Sequence, residues 1–194
     1  MSVARVPDLA AIYGIDDLDW LRSRETDRVE LIDGEVYVTP SPAPDHQRIV
    51  GRIFRAIGDA LAESGGGEVF IAPLDVVLDD STVIVPDVVA VLADRAGVVT
   101  RKGLSGAPSL VVEVASPSTR RIDSGVKRDR YARAGVAEYW LLDPASGATI
   151  RYSQCVDGGY ADVLVMNQDD VLVSATIDGL RVDLKMIFEG IGLA

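Results

Sequence analysis

The sequence predicts an α/β fold: an α+β mixed sheet built on a helix, three strands, a helix and a strand, with flanking β-hairpins. Three observations lead there. Residues 83–92 and 110–115 are nearly unbroken apolar runs of strand length, the pattern of strands buried on both faces. Apolar residues at helical spacing precede and follow them, which supplies the covering helices. Asp-Gly or Asp-Gly-Gly steps between apolar runs at both ends of the chain mark hairpins, because such turns require positive φ.

In chain order, residues 15–24 form a short amphipathic helix, and residues 28–39 form a hairpin turning at Asp33-Gly34. Pro40, Pro42 and Pro44 make a stiff, non-helical linker. Asp45 is the expected N-cap of a helix reaching Ser64, buried along Ile49, Ile53, Ile57 and Leu61 and stopped by Gly65-Gly66-Gly67. One strand is expected over 68–78. The two apolar strands follow, separated by a polar insert at 94–108 that suits a loop or a short helix. Asp123 is the expected N-cap of a second helix ending at Ala134, with Gly135 in the left-handed position. A strand over 136–142, a hairpin over 149–165 turning at Asp157-Gly158-Gly159, a strand pair around Asp178-Gly179 and a short helix near 184–188 complete the order. The expected organisation is one domain over 1–194, with its core at about 45–143, the N-terminal helix and hairpin at 15–39, and the C-terminal hairpins and short helix at 148–190.

A chain of 194 residues, 48% apolar, is long enough for a real core and too apolar for disorder. No apolar run is of membrane-spanning length, and Met1 to Asp8 carry no secretory apolar core. The single cysteine, Cys155, has no internal partner, so a cytoplasmic protein is expected. Net charge is −11, which opposes nucleic-acid binding globally. Basic residues nevertheless cluster. Arg48, Arg52 and Arg55 recur at helical spacing, and Arg120, Arg121, Lys127, Arg128, Arg130 and Arg133 crowd one segment. They read either as solvated helix faces or as a basic track beside a carboxylate site.

The carboxylates are the informative residues. Side chains alternate across a strand, so Asp87 shares a face with Val85 and Val89, and Glu113 with Val111 and Ala115. An ionised carboxylate on such a face is costly unless paired or bound to metal. Two on neighbouring strands repel unless a divalent cation lies between them. Serine hydrolysis is disfavoured, since Ser116 and Ser118 lack a nucleophile-elbow pattern. No phosphate-binding P-loop or zinc cysteine pair is present.

Pro86-Asp87 and Glu113 on this order of elements resemble the PD-(D/E)XK nuclease superfamily, whose restriction-endonuclease-like core is αβββαβ. A wider set is similar to the Uma family of restriction-endonuclease-like proteins: Glu30-Leu31-Ile32-Asp33-Gly34-Glu35, His46, Pro86-Asp87, Glu113 through Thr119, Lys127, Tyr131, and Gly135 through Trp140. The likeness covers about residues 28–190. One departure stands out, because the superfamily lysine belongs two residues after Glu113, where this chain has Ala115. The resemblance implies that Lys127 on the following helix replaces it; from spacing alone, Lys127 pairs with Asp123 at i, i+4. It further implies a Mg²⁺- or Mn²⁺-dependent endonuclease acting on nucleic acid, DNA in the first instance. Asp87, Glu113 and the Val114 carbonyl would be metal ligands and Lys127 a catalytic residue. Glu30 is then a third carboxylate, where the residues alone equally allow an exposed hairpin charge. His46 is a phosphate contact or a structural histidine. Arg120 and Arg121 would border the mouth and contact the substrate. Paired cutting of two strands, and hairpin edges that need cover, suggest a homodimer. The missing lysine at position 115 and the acidic charge support an alternative, a non-catalytic or regulatory binding domain retaining the fold.

Overall fold

The computed structural model describes residues 4–5, 12–24 and 28–192; the segment read for a leader lies mostly outside these. In order the elements are β1 (Ala4–Arg5), a 3₁₀ turn (Ile15–Asp17) running into α1 (Leu18–Arg22), β2 (Arg28–Ile32), β3 (Glu35–Thr39), α2 (Pro44–Ser64), β4 (Gly67–Ile71), β5 (Val76–Asp79), β6 (Thr82–Ile84), β7 (Val88–Leu92), a 3₁₀ segment (Ala93–Val98), β8 (Val99–Thr100), β9 (Gly103–Ser105) and β10 (Leu110–Val114). Then come α3 (Arg120–Ile122), a π-helical turn (Asp123–Lys127), α4 (Arg128–Ala134), β11 (Glu138–Asp143), β12 (Ala148–Val156), β13 (Gly159–Met166), β14 (Val171–Val173), β15 (Arg181–Asp183) and α5 (Leu184–Phe188).

The αβββαβ core is α2, β4, β7, β10, the α3–α4 helix and β11. Its sheet runs β13-β12-β11-β10-β7-β4. β10 and β11 are parallel, and the other neighbours are antiparallel, which makes the sheet mixed. Alternation on these strands feeds two cores. Val88, Ala90, Leu110, Val112 and Trp140 pack beneath α2 and α5, while Val89, Val91, Val111, Tyr139 and Leu141 face α4 and the second sheet. The Ile49, Ile53, Ile57 and Leu61 stripe of α2 is buried in the first core, each side chain contributing about 1.5–3 kcal/mol.

Two expectations for strands are corrected. Residues 83–92 are not one strand: the chain breaks at 85–87, so that β6 lies in the second sheet, β1-β3-β2-β6-β5-β9-β8, and β7 in the core sheet. Pro86 has no N–H to give a ladder, which suits a break there. Residues 68–78 likewise divide into β4 and β5, one in each sheet, with the cis Ala72–Pro73 bond between them. The N-terminal hairpin therefore belongs to the second sheet and only the C-terminal hairpin extends the core sheet.

Two caps are also corrected. Ala43 precedes α2 with Pro44 in its first turn, and Asp45 sits inside that turn. Proline suits the start of a helix, where its missing N–H is not needed. Asp123 does not cap the second helix. The helix begins at Arg120, and Asp123 is buried in its π turn. The predicted ends hold, with Gly65 and Gly135 both left-handed. The hairpin turn at Asp33-Gly34 has φ of 54° and 77°, as its sequence requires.

Candidate active site

Asp87 lies at the break between sheets, immediately before β7. The antiparallel register of β7 and β10, Val111 with Val89 and Val112 with Val88, continued by one step, sets Asp87 across from Glu113. The Val114 N–H confirms the proximity by donating to Asp87 Oδ2 at 2.8 Å. Asp87 is 3% and Glu113 2% exposed. Both line a cavity of ≈ 470 Å³ together with Arg28, His46 and Asp123.

The helix after β10 delivers the cation. Asp123, Lys127 and Tyr131 step by four, so they share one helix face, and that face packs onto the Glu113 side of the sheet. Lys127 is 2% exposed. Its Nζ lies 3.0 Å from Glu113 Oε1, 2.9 Å from Glu30 Oε1 and 3.5 Å from Asp123 Oδ1. Tyr131 Oη donates to the same Glu113 oxygen at 2.7 Å. Tyr131 is itself held by a row of rings, with centroids 5.1 Å to Tyr139 and 5.5 Å from Tyr139 to Tyr152. Glu30 on β2 also accepts the Val85 N–H at 2.8 Å, which ties the second sheet to the break beside Asp87.

Asp87 is held from the opposite side. His46 Nε2 is 3.1 Å from Oδ2, and Arg28 Nη1 is 3.3 Å from Oδ1 and donates to the Val85 carbonyl at 3.1 Å. The structure thus brings Glu30, His46, Asp87, Glu113 and Lys127 together, drawn from β2, α2, the sheet break, β10 and the π turn. Arg120 and Arg121 stand outside. Both are exposed, and Arg120 pairs with Asp143 beside the cavity-lining Pro144.

Three members of the cluster, Arg28, Asp123 and Tyr131, carried no catalytic or metal-binding role in the sequence reading. Arg28 entered only as the first residue of the 28–39 hairpin. Asp123 and Tyr131 had a signal in their i, i+4 spacing around Lys127. Glu138, inside the Gly135–Trp140 motif, is structural. Its buried carboxylate accepts from Trp140 Nε1 at 2.7 Å, Ser174 Oγ at 2.6 Å and the Ala175 and Thr176 N–H groups at 3.0 Å, so it fastens the β14–β15 connection to the core sheet.

Four buried carboxyl groups, Glu30, Asp87, Glu113 and Asp123, face two fixed cations, Arg28 and Lys127, which with every carboxyl ionised would leave an excess of two negative charges. The titrations reflect this. Burial pushes the Glu113 carboxyl up to about 8, against Lys127 and with help from Asp87, Asp123 and Glu30. Burial raises Asp123 in the same way. Burial also opposes ionisation of Asp87, but the His46 and Arg28 contacts and the Val114 N–H outweigh it and hold the group below its usual value. Burial disfavours charge on Lys127, yet Glu113, Glu30 and Asp123 hold its ammonium well above the ordinary range.

The donors suit a hard divalent cation. They are oxygens in negative excess, and Asp123 Oδ1 is buried without a hydrogen-bond partner. Among the described residues no three His, Cys, Asp or Glu side chains stand as a ready-made cage.

The fold is of the restriction-endonuclease-like class. The model of the Uma2 family, described as "Putative restriction endonuclease", matches residues 15–185, and the chain belongs to that family. Among solved structures it is similar to the crystal structure of a "putative nuclease belonging to DUF820" from Anabaena variabilis. The TM-score is 0.72 and the identity 18%, over 91% of this chain and 97% of that one, a likeness of fold. No curated relative matches the sequence. Among the described residues no helix is long and apolar enough to cross a membrane.

Proposed function

We propose that the chain is a Mg²⁺- or Mn²⁺-dependent endonuclease that hydrolyses phosphodiester bonds in DNA. The observation that carries this reading is the convergence of Asp87 and Glu113 on one cavity with Lys127 locked behind Glu113. Asp87 and Glu113, with the Val114 carbonyl, would hold the metal. Bound there, such a cation would supply Lewis-acid chemistry, polarising the phosphodiester and lowering the pKa of the attacking water. Lys127 and Tyr131 fix the Glu113 carboxylate by converging on a single oxygen, which leaves the other for a ligand. The Lys127 ammonium, behind the cavity lining and engaged by Glu30, Glu113 and Asp123, offsets part of the cluster's charge and so supports the reaction through Glu113. Glu30 holds Lys127 and the sheet break in register. His46 and Arg28 orient Asp87, and Arg28 is placed to meet the substrate phosphate.

The alternative of a scaffold without catalysis would gain if Lys127 faced solvent; its burial against Glu113 favours the active reading. The exposed edge strand β13, with Val163 51% and Val165 67% exposed, supports assembly as a homodimer, and a cytoplasmic location fits the unpaired Cys155. A metal-dependent cleavage assay over single-stranded and duplex oligonucleotides tests the proposal. Wild type should cut only with Mg²⁺ or Mn²⁺, and Asp87→Asn and Glu113→Gln should not cut. Equal cleavage by wild type and both variants would discard this site.

A further inference from the structure

The Asp87 and Glu113 carboxylates are recessed, and the recess has a definite size. They lie on the floor of the ≈ 470 Å³ cavity. A volume near the low end of the range that encloses one small-molecule-sized group, about 300–1,000 Å³, accommodates one nucleotide. One wall is the segment of residues 39–43; the other is residues 116–119 with Pro144.

Wall chemistry narrows the choice. Pro40, Pro42, Pro73, Pro117 and Pro144 line the cavity. Proline fixes its own φ and offers no N–H, so these walls are stiff and apolar, suited to a sugar or base face and poor at spreading apart. Ser116, Ser118 and Thr119 hydrogen-bond chiefly one another, with Oγ–Oγ distances of 2.9 Å and 3.1 Å from Ser116, which braces the second wall.

Charge points the same way. A protein that tracks duplex DNA distributes many lysines and arginines along both phosphate rows. Of the described residues lining this cavity, only Arg28 is a lysine or arginine, and it lies at the floor beside Asp87. The chain as a whole carries −11. One recessed arginine matches one phosphate. With Asp87 3% and Glu113 2% exposed, a strand without a partner reaches these carboxylates more readily than a base-paired one.

We infer that this site takes a single unpaired strand: single-stranded DNA, or the unpaired tail of a duplex, with one nucleotide between the proline and serine walls. The inference rests on the hydrolytic reading above and names its substrate. The chemistry is ordinary hydrolysis: water adds to phosphorus, one P–O ester bond breaks, and the departing oxygen leaves protonated.

The test uses one sequence in three forms, a single strand, a blunt duplex, and a duplex with an unpaired tail. Cleavage is followed in Mg²⁺, and binding by fluorescence anisotropy without metal. The single strand and the tail should be cut at least about tenfold faster than the blunt duplex, with the tail's cuts in its unpaired part. The single strand should also bind at least about tenfold more tightly. A smaller preference in both readouts, or cuts within paired DNA, overturns the inference. If no form is cut, the hydrolytic reading falls, and the binding comparison alone then decides: a single-strand preference upholds the substrate class and its absence removes it.

Discussion

Replacing Lys127 by methionine isolates the electrostatic centre of the molecule, because the side-chain volume is nearly kept while the charge is lost. Lys127 is buried with Glu113 and Glu30 at 3.0 and 2.9 Å and Asp123 at 3.5 Å. Removing one partner of a buried pair costs about 3–5 kcal/mol. Set against a domain stability of about 5–15 kcal/mol, that is a large fraction. At about 2–4 °C per kcal/mol for a chain of this size, Tm should fall by about 6–20 °C. The loss should also depend on pH with a definite sign. Without the ammonium, Glu113 and Asp123, whose carboxyls burial already raises, stay buried only by taking up protons, so their folded-state pKa values rise further above those of the unfolded chain. A carboxyl raised in this way makes the folded state bind more protons, and stability then falls as pH rises through the window between the two values. The gap between wild type and Lys127→Met should therefore be small near about pH 5 and widest near about pH 8. Urea denaturation at both pH values measures it. A cost under about 1 kcal/mol at the higher pH, or an equal cost at both, would refute the reasoning. Adding Glu30→Gln to Lys127→Met should restore part of the lost stability.

Three further outcomes are expected. In metal-free wild type, Glu113 has its carboxyl raised from 4.5 to about 8, so this group makes stability decline as pH rises across that interval, and Glu113→Gln should flatten the decline. Thermal melts across the range check it, and an unchanged slope in the variant counts against the assignment. Arg120→Ser with Arg121→Ser should weaken single-strand binding and reduce the slope of log affinity against log salt by about 0.7 per residue removed; an unchanged slope would take both arginines out of the substrate path. Val163→Lys on β13 should convert a dimer to a monomer in sedimentation at micromolar concentration without lowering Tm, since Val163 is half exposed in the single chain. A monomeric wild type would remove the homodimer.

Much of this fold was legible in the sequence because local and tertiary preferences agree. The Asp33-Gly34 turn demands positive φ and receives it. The four-residue stripe of α2 has one buried face and uses it. The apolar runs around Glu113 and just after Asp87 do lie as neighbours, which is why a carboxylate pair read from two strands lands on one cavity. What was not legible is where a continuous apolar run changes sheet. Apart from Asp87, residues 83–92 are apolar, and nothing in their periodicity separates one long strand from β6 and β7 meeting at Pro86-Asp87. Asp123 followed a Ser-Pro-Ser-Thr loop and so looked like a cap, whereas its side chain is buried toward Lys127. Arg28 pairs with Asp87 across 59 residues, a contact only the assembled second sheet creates.

The central claim is that Asp87 and Glu113 hold the metal while Lys127 acts on the reaction without binding it. Calorimetric titration of Mn²⁺ into wild type, Asp87→Asn and Lys127→Ala, paired with cleavage of one single-stranded substrate, tests it most directly. Wild type should bind and cut. Asp87→Asn should do neither, and Lys127→Ala, at a temperature where it is folded, should still bind the metal and fail to cut. Undiminished metal binding by Asp87→Asn, or full cleavage by Lys127→Ala, would contradict the claim.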